Sequence, residues 1–196
     1  MKVQASSTRV KLLLRAYEGE IAAGSRVLDI GCGNGLISRA VATTFGCEVH
    51  GADIENLLEH DMPFYRIADG RVGAADQSFD VAMFNDVLHH IEKPHQAGAI
   101  REALRIARRL LIFEQHPTIT AKVLDVVMAY VVYAGKEPLP LSHRGPDDWR
   151  TLITSQITPT CRVKPVAEPM LYPLRHYAII VEPAAETGGV TARPVR

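Results

Sequence analysis

The sequence has few cysteines and few aromatic residues. Its 196 residues include three cysteines, and aromatic residues make up 6% of the chain. The number of cysteines is odd and none of them forms a CxxC pair, so we expect neither a disulfide framework nor a zinc knuckle. We therefore expect plain thiols in a reducing, cytoplasmic setting.

The sequence also lacks an excess of charge of one sign and a long apolar run. Basic and acidic residues number 22 each, whereas binding to a nucleic-acid backbone usually goes with a basic excess. The most apolar stretch, around residues 123–134, contains Asp125 and is shorter than the ~20 residues of a membrane-spanning helix. The N-terminal segment carries charges through its apolar part and does not resemble a secretion signal. We therefore expect no nucleic-acid partner and no membrane span.

What is present is the composition of one folded domain. Hydrophobic residues make up 47% and charged residues 22% of the chain, which is close to the globular average. A chain of this length suits a single domain. We predict that domain over residues 1–182, with a substrate-covering insertion at about 117–150 and a flexible tail over 183–196.

Apolar periodicity predicts strands that alternate with helices. Helices are predicted over residues 6–23, 36–45, 96–108 and 118–133 and from Pro146 onward. Strands are predicted near residues 26–30, 48–52, 64–68, 79–84, 109–114, 161–167 and 176–181. This order predicts an α/β fold, with a doubly wound, mostly parallel seven-stranded sheet and helices on both faces.

The first predicted strand runs into a glycine loop, VLDIGCGNG. Gly31, Gly33 and Gly35 allow a tight turn and a close approach of the backbone to a ligand. The third glycine comes one residue too early for the GxGxxG pattern of dinucleotide sites. Asp29, at the strand tip, would repel a pyrophosphate but could bind an ammonium group. The loop therefore favours an amino-acid ligand over a dinucleotide.

Two further acids follow the next two predicted strands. Asp53 ends the second strand, where a carboxylate can accept hydrogen bonds from both hydroxyls of a ribose. Asp69 follows the third strand and is placed to accept a hydrogen bond from an exocyclic amine. The fourth strand then leads into the polar segment of FDVAMFNDVLHHI.

Taken together, these motifs resemble a class I S-adenosylmethionine-dependent methyltransferase over about residues 20–115, and the later RGPDDW and RHYAIIVEP segments are similar to its small-molecule branch. The resemblance implies S-adenosylmethionine as cofactor, S-adenosylhomocysteine as product, no metal, and a small, partly apolar acceptor. It also implies two groups of binding residues. The methionine part would contact Asp29, Gly31, Cys32, Gly33, Gly35, Asn85 and Asp86, and the nucleoside part would contact Asp53, Ile54, Asp69 and Gly70.

Four residues are candidates for handling a proton of the acceptor. Of the adjacent His89 and His90, one could face the acceptor as a general base. Because neighbouring residues of a helix point to different faces, the two are not expected to share a metal ion. Glu114 and His116, at the end of the fifth strand, could take a proton or hold the acceptor. His143 lies in the variable loop and is expected at the surface, although it could approach the site if that loop forms a lid.

Two departures from the family pattern are visible. The link after Asp53 is short, which predicts little helix between the second and third strands. The family's Pro-Gly-Gly turn is missing before the fifth strand, where Ala107 and Arg108 run straight into it.

Three alternatives remain at the level of function. The chain could be a cofactor-binding module without turnover, a methyltransferase for a macromolecule, or an NAD-dependent oxidoreductase. FNDV stands where a nucleic-acid or protein-amide methyltransferase would carry an Asn-Pro-Pro-Tyr type of motif.

The apolar stripe of helix 118–133, with Val126, Val127 and Tyr130, could line an acceptor pocket or form a homodimer interface.

Overall fold

The computed structural model describes residues 8–132, 140–158, 160–167 and 174–182. The predicted tail, residues 133–139 of the insertion, and the side chains of residues 128–132, including Tyr130, lie outside this description. The helices are α1 (Thr8–Tyr17), α2 (Leu36–Phe45), α3 (Lys93–Ile106), α4 (Ile119–Val132) and α5 (Pro146–Gln156), with a short 3-10 helix at Leu88–His90. The strands are β1 (Arg26–Ile30), β2 (Glu48–Asp53), β3 (Phe64–Ala68), β4 (Arg71–Val72), β5 (Phe79–Asn85), β6 (Ala107–Gln115), β7 (Cys161–Pro165) and β8 (His176–Val181).

All eight strands form one sheet in the order β4-β3-β2-β1-β5-β6-β8-β7. Strands β3, β2, β1, β5 and β6 are parallel, whereas β8 pairs antiparallel with both β6 and β7. The chain moves outward from β1 to β2 and β3 and then returns to β5 on the other side of β1. The carboxyl ends of β1 and β5 therefore form the topological switch point, where open α/β sheets bind their ligands.

The core lies on both faces of the sheet because alternate strand residues point to opposite sides. In β1, Leu28 and Ile30 belong to the apolar cluster that includes α3 and α5 residues. Val27 belongs to the cluster that includes α1 and α2 residues. This confirms the predicted doubly wound α/β fold with helices on both faces.

The strand count differs from the predicted seven. A two-residue strand, β4, pairs antiparallel with β3 at the edge of the sheet. Asp69 and Gly70 form the turn between them, with φ angles of 51° and 71°. Two consecutive residues with positive φ suit a tight hairpin, and this hairpin adds the eighth strand.

The first helix is shorter than predicted. The apolar periodicity continues to Ile21, but α1 ends at Tyr17, and Gly19 adopts a φ of 80° soon afterwards. A left-handed glycine commonly terminates a helix, so Gly19 ends the helix before the predicted end at residue 23.

The two departures from the family pattern are confirmed. Residues 54–63, between β2 and β3, contain no helix. Helix α3 begins at Lys93, earlier than predicted, and ends at Ile106, so that Ala107 already belongs to β6. In the described part of the chain, no helix combines the length and apolar character needed to cross a bilayer.

Candidate functional site

Asp29 and Asn85 meet at the switch point. Asp29 is the fourth residue of β1 and Asn85 is the last residue of β5. The amide nitrogen of Asn85 donates a hydrogen bond to Asp29 Oδ1 at 2.9 Å. From α2, the hydroxyl of Ser38 donates to Asp29 Oδ2 at 2.6 Å. The sequence predicted Asp29 and Asn85 as site residues but not their direct contact, and it gave no indication of Ser38.

Burial dominates the ionisation of Asp29. The side chain is 1% exposed, and desolvation raises its pKa to about 6, against the lowering effect of the hydrogen bonds from Ser38 and Asn85. A buried carboxylate of this kind is stabilised by a cation. An ammonium group at this position therefore suits the arrangement.

The glycine loop follows β1 with three left-handed residues. The φ angles are 78° at Gly31, 52° at Gly33 and 78° at Gly35. A Cβ atom on Gly31 would lie 2.5 Å from a methyl group of Val87, whereas a Cβ on Gly33 would meet nothing within 4 Å. Gly33 therefore leaves space on the ligand side of the loop. Cys32 is buried between these glycines, and burial raises the pKa of its thiol to about 12, so it stays protonated.

Asp53 joins the end of β2 to this loop. Its Oδ2 accepts a hydrogen bond from the backbone N–H of Gly33 at 2.9 Å, and its Oδ1 accepts from the N–H of Ile54 at 2.7 Å. Ile54 is 62% exposed, so its apolar side chain is free to pack against a ring of a ligand. Asp69 and Gly70 are exposed at the hairpin turn after β3, at the same edge of the sheet.

Asp86 is held by the N-terminal helix. The Nε of Arg9 donates a hydrogen bond to Asp86 Oδ2 at 2.6 Å, and its Nη2 donates to the carbonyl of Asn85 at 3.1 Å. Burial would raise the pKa of Asp86, but the charges and hydrogen bonds of Arg9 and His176 outweigh it and hold this pKa well below its usual range. Asp86 has a φ of 57°, which is unusual for a non-glycine residue. The ion pair helps to offset that strain.

His89 and Glu114 form a buried pair. Nδ1 of His89 lies 2.6 Å from Glu114 Oε2, and each side chain is 2% exposed. Glu114 Oε1 also accepts hydrogen bonds from the backbone N–H groups of Val87 and Leu88. Burial would lower the pKa of His89, but the Glu114 carboxylate outweighs it and raises this pKa. The pairing fixes the ring so that Nδ1 faces Glu114.

Of the other two candidate bases, His90 packs against His89, with ring centroids 4.1 Å apart, and His116 makes a separate contact. His90 is half-buried, and among the described residues no group forms a hydrogen bond with its buried Nδ1. Burial and then the neighbouring His89 charge lower the pKa of His90 to about 4. His116 lies just beyond the end of β6 and packs edge-on against Tyr177, with ring centroids 4.9 Å apart.

The prediction for His143 is wrong, because this side chain is 1% exposed. Its Nε2 lies 2.8 Å from Oδ2 of Asp125, a residue of α4. The Gln115 amide nitrogen also lies 3.3 Å from His143 Nε2 and 2.5 Å from Asp125 Oδ2. Local sequence patterns do not predict this cluster, since its members lie 10 to 28 residues apart.

The outer face of α4 is apolar and exposed. Ile119, Val123, Val126 and Val127 are each between 50% and 83% exposed. These side chains do not pack into the core of the described structure. Whether this face covers an acceptor or contacts a second copy of the chain stays a prediction.

The fold as a whole is that of a known group of enzymes. A structure of an S-adenosylmethionine-dependent methyltransferase from Archaeoglobus fulgidus superposes with a TM-score of 0.65 over 90% of this chain and 94% of that chain. The two sequences are 16% identical, so the likeness concerns the fold. The architecture is therefore the Rossmann-like methyltransferase fold.

The sequence of the central region matches a known family. Residues 28–111, from β1 into β6, match the family described as a methyltransferase domain. Over these residues the chain is similar in sequence to methyltransferase domains, and its fold is that of S-adenosylmethionine-dependent methyltransferases.

Two curated relatives are methyltransferases by name. The mitochondrial ubiquinone biosynthesis O-methyltransferase of Schizosaccharomyces pombe is 28% identical over 140 residues, which are 63% of this chain and 50% of the relative. The 27-O-demethylrifamycin SV methyltransferase of Amycolatopsis mediterranei is 36% identical over 99 residues, or 44% of this chain and 36% of the relative. The chain thus matches half or less of the length of these relatives.

Proposed function

We propose that this chain transfers the methyl group of S-adenosylmethionine to a hydroxyl group of a small, partly apolar acceptor. The observation that carries the proposal is the set of acids at one edge of the sheet. Asp29, Asp53 and Asp69 lie at or after the ends of β1, β2 and β3, in the order that suits an ammonium group, a ribose and an adenine amine. The glycine loop lies between the first two.

The residues at this edge fit the cofactor. Asp29 is a buried carboxylate with a raised pKa, which a bound ammonium group would stabilise in its charged form. Asp53 already bonds the loop at Gly33, and its oxygens have further lone pairs for the ribose hydroxyls. When bound, S-adenosylmethionine supplies a methyl group made electrophilic by the sulfonium.

The residues beyond Asn85 suit the acceptor. In methyl transfer, holding the acceptor in line with the methyl group supplies much of the acceleration. His90 is a candidate to receive the hydroxyl proton, because its lowered pKa keeps the ring neutral and its buried Nδ1 lacks a partner among the described residues. Glu114 and His89 are bonded to each other, which suits a positioning role.

The relatives support the acceptor class. Their names describe O-methylation in ubiquinone biosynthesis and methylation of a 27-O-demethylrifamycin. The balanced charge of this chain disfavours a nucleic-acid acceptor and, with its free thiols, suits a cytoplasmic setting.

The test uses the full chain and S-adenosylmethionine with an isotopically labelled methyl group. Calorimetry should first show binding of S-adenosylhomocysteine. A panel of hydroxylated aromatic compounds should then yield S-adenosylhomocysteine and a labelled product by mass spectrometry. Binding without turnover on any small or macromolecular acceptor would favour the binding-module alternative, and labelled nucleic acid or protein would favour a macromolecular acceptor. Binding of NAD in place of both cofactor forms would overturn the proposal.

A further inference from the structure

Three side chains from separate parts of the chain converge beside the proposed acceptor region. His89 comes from the short helix after β5, Asp125 from α4, and His143 from the segment before α5. We infer that these three residues form a binding site for a divalent transition-metal ion of the zinc type.

The distances suit a single ion. Asp125 Oδ2 lies 2.8 Å from His143 Nε2 and 3.6 Å from His89 Nε2, and one ligand atom from each of the three residues lies within 4.8 Å of the others. Ligands bound tetrahedrally to zinc at its usual bond lengths stand roughly 3.4 Å apart. The two measured distances bracket this value, so small movements would complete the site.

The orientation of His89 is the one that metal ligands adopt. Its Nδ1 faces Glu114 at 2.6 Å, which leaves Nε2 directed to Asp125. Metal-binding histidines almost always donate their second ring N–H to a carboxylate, a carbonyl or water, and this contact fixes the ring. Glu114 is itself held by two backbone N–H groups.

The segment that carries His143 is also fixed. The N–H of Ser142 donates to the His89 carbonyl at 2.7 Å, and the buried Gln96 amide donates to the Ser142 carbonyl at 2.9 Å. Arg144 in turn donates to Gln96 Oε1 at 2.6 Å. Ser142 thus bonds to His89 itself, and Arg144 is linked through Gln96 of α3 to the carbonyl of Leu88, so the two histidines are positioned together before any ion binds.

The charge balance favours a cation. Asp125 and Glu114 are largely or fully buried, with side chains 17% and 2% exposed. Within the described ranges, their ion-pair partners are histidines, and no lysine or arginine pairs with either carboxylate. A neighbouring group of Asp86, His89 and Glu114 also has ligand spacing, but the Arg9 guanidinium already neutralises Asp86.

Two imidazoles and one carboxylate leave a coordination position open. Such ligand sets suit zinc and iron-type ions and retain a site for water or a substrate oxygen. Resting on the proposed function, we assign this position to the acceptor hydroxyl, whose pKa an ion would lower. This assignment departs from the sequence-based expectation of no metal, which excluded an ion shared by His89 and His90 but did not consider His89 with His143.

Cobalt(II) titration of the chelator-treated full chain tests the site without any methyl transfer. One equivalent of cobalt should produce saturable visible absorption, and zinc should displace it. In the unmutated protein, proton NMR should show two hyperfine-shifted, exchangeable imidazole N–H resonances, one for each ligand histidine. Absence of saturable one-to-one binding, or fewer than two such resonances, would overturn the proposal.

Variants assign the ligands. His143→Ala, His143→Gln and Asp125→Asn should each weaken cobalt binding by about 100-fold or more, and Glu114→Gln by about 10-fold to 100-fold through the orientation of His89. The matched control is His95→Ala, which removes an exposed histidine of α3 and should leave affinity unchanged. Wild-type cobalt affinity in the folded Asp125→Asn variant or either folded His143 variant would overturn the site.

The two proposals fail in different ways. Failure to bind S-adenosylhomocysteine in calorimetry would contradict the proposed function. Absence of cobalt absorption would contradict the metal site alone. His143→Gln should retain S-adenosylhomocysteine affinity while losing the ion, because His143 is not among the predicted cofactor residues.

Discussion

The hydroxyl of Tyr17 donates a hydrogen bond of 2.7 Å to the amide oxygen of Asn85. Tyr17 is the last residue of α1 and Asn85 the last of β5, and both are buried. Because Asn85 donates through its amide nitrogen to Asp29, the tyrosine fixes which way the amide faces. The N-terminal helix thereby determines the hydrogen-bond direction at the centre of the proposed cofactor site.

Tyr17→Phe should lower the free energy of unfolding by about 1 kcal/mol, since it leaves the Asn85 oxygen without its donor. Chemical denaturation measures the change. Tyr65→Phe is the matched control: Tyr65 is a partly buried tyrosine whose ring packs on His50, and its loss of a hydroxyl should cost less. Equal effects of the two variants would contradict a specific role for the Tyr17 hydroxyl.

Asp53→Ala should weaken S-adenosylhomocysteine binding by about 1–3 kcal/mol, because the ribose hydroxyls lose their acceptor. Isothermal calorimetry gives the affinity, and circular dichroism verifies the fold. Asp61→Ala, at an exposed acid in the same link, serves as control and should bind normally. A folded Asp53→Ala protein with normal affinity would show that Asp53 does not hold the ribose.

Cofactor affinity should depend on pH through Asp29. Its pKa is raised to about 6 by burial, so it becomes protonated below that pH and loses the charge that would bind an ammonium group. We expect S-adenosylhomocysteine affinity to fall about tenfold from pH 7 to pH 5. Asp29→Asn should bind more weakly at pH 7 and show a nearly flat profile. A wild-type profile that is flat over this range would argue against Asp29 as the ammonium site.

Alanine substitutions at Gly31 and Gly33 separate backbone strain from steric clash. Both glycines have positive φ, so each variant carries a cost of about 1–2 kcal/mol. Only at Gly31 would the new methyl group meet Val87, which should add about 1–3 kcal/mol. Thermal and chemical unfolding should therefore show Gly31→Ala to be the less stable variant, and equal stabilities would contradict the close packing of the loop on Val87.

His90→Asn should lower kcat by about 100-fold if His90 accepts the hydroxyl proton. S-adenosylhomocysteine affinity should change little, because the predicted cofactor contacts are elsewhere. His95→Asn, on the exposed surface of α3, is the control for the loss of an imidazole. Unchanged kcat in His90→Asn would show that His90 does not accept the proton.

The sequence predicted the strand ends well, because each is marked by a local change of composition. The acids Asp29, Asp53 and Asp69 interrupt or follow apolar strand residues, and the structure has them at the carboxyl edge of the sheet. The extra strand β4 was not predicted, since two residues are too few to show any periodicity. The end of α1 was misplaced because Gly24 and Gly19 are equally plausible terminators, and only the backbone geometry distinguishes them.

Contacts between distant segments could not be predicted in the same way. His143 was expected at the surface because it lies in the variable, proline-containing loop. In the structure, Ser142 bonds to His89 and Arg144 bonds to Gln96 of α3, and these bonds hold His143 inside. Arg9 and Asp86 are 77 residues apart. A single sequence contains no signal for such pairs, since either charge alone would fit an exposed helix or loop.

The direct junction between α3 and β6 limits how this chain can be recombined with its relatives. Helix α3 ends at Ile106, β6 begins at Ala107, and both residues are fully buried. One inserted residue would rotate α3 by about 100° relative to the sheet or reverse the two faces of β6, which would turn Glu114 away from His89. Crossover points for chimeric proteins therefore belong in the link at residues 54–63, where no helix or strand register has to be kept.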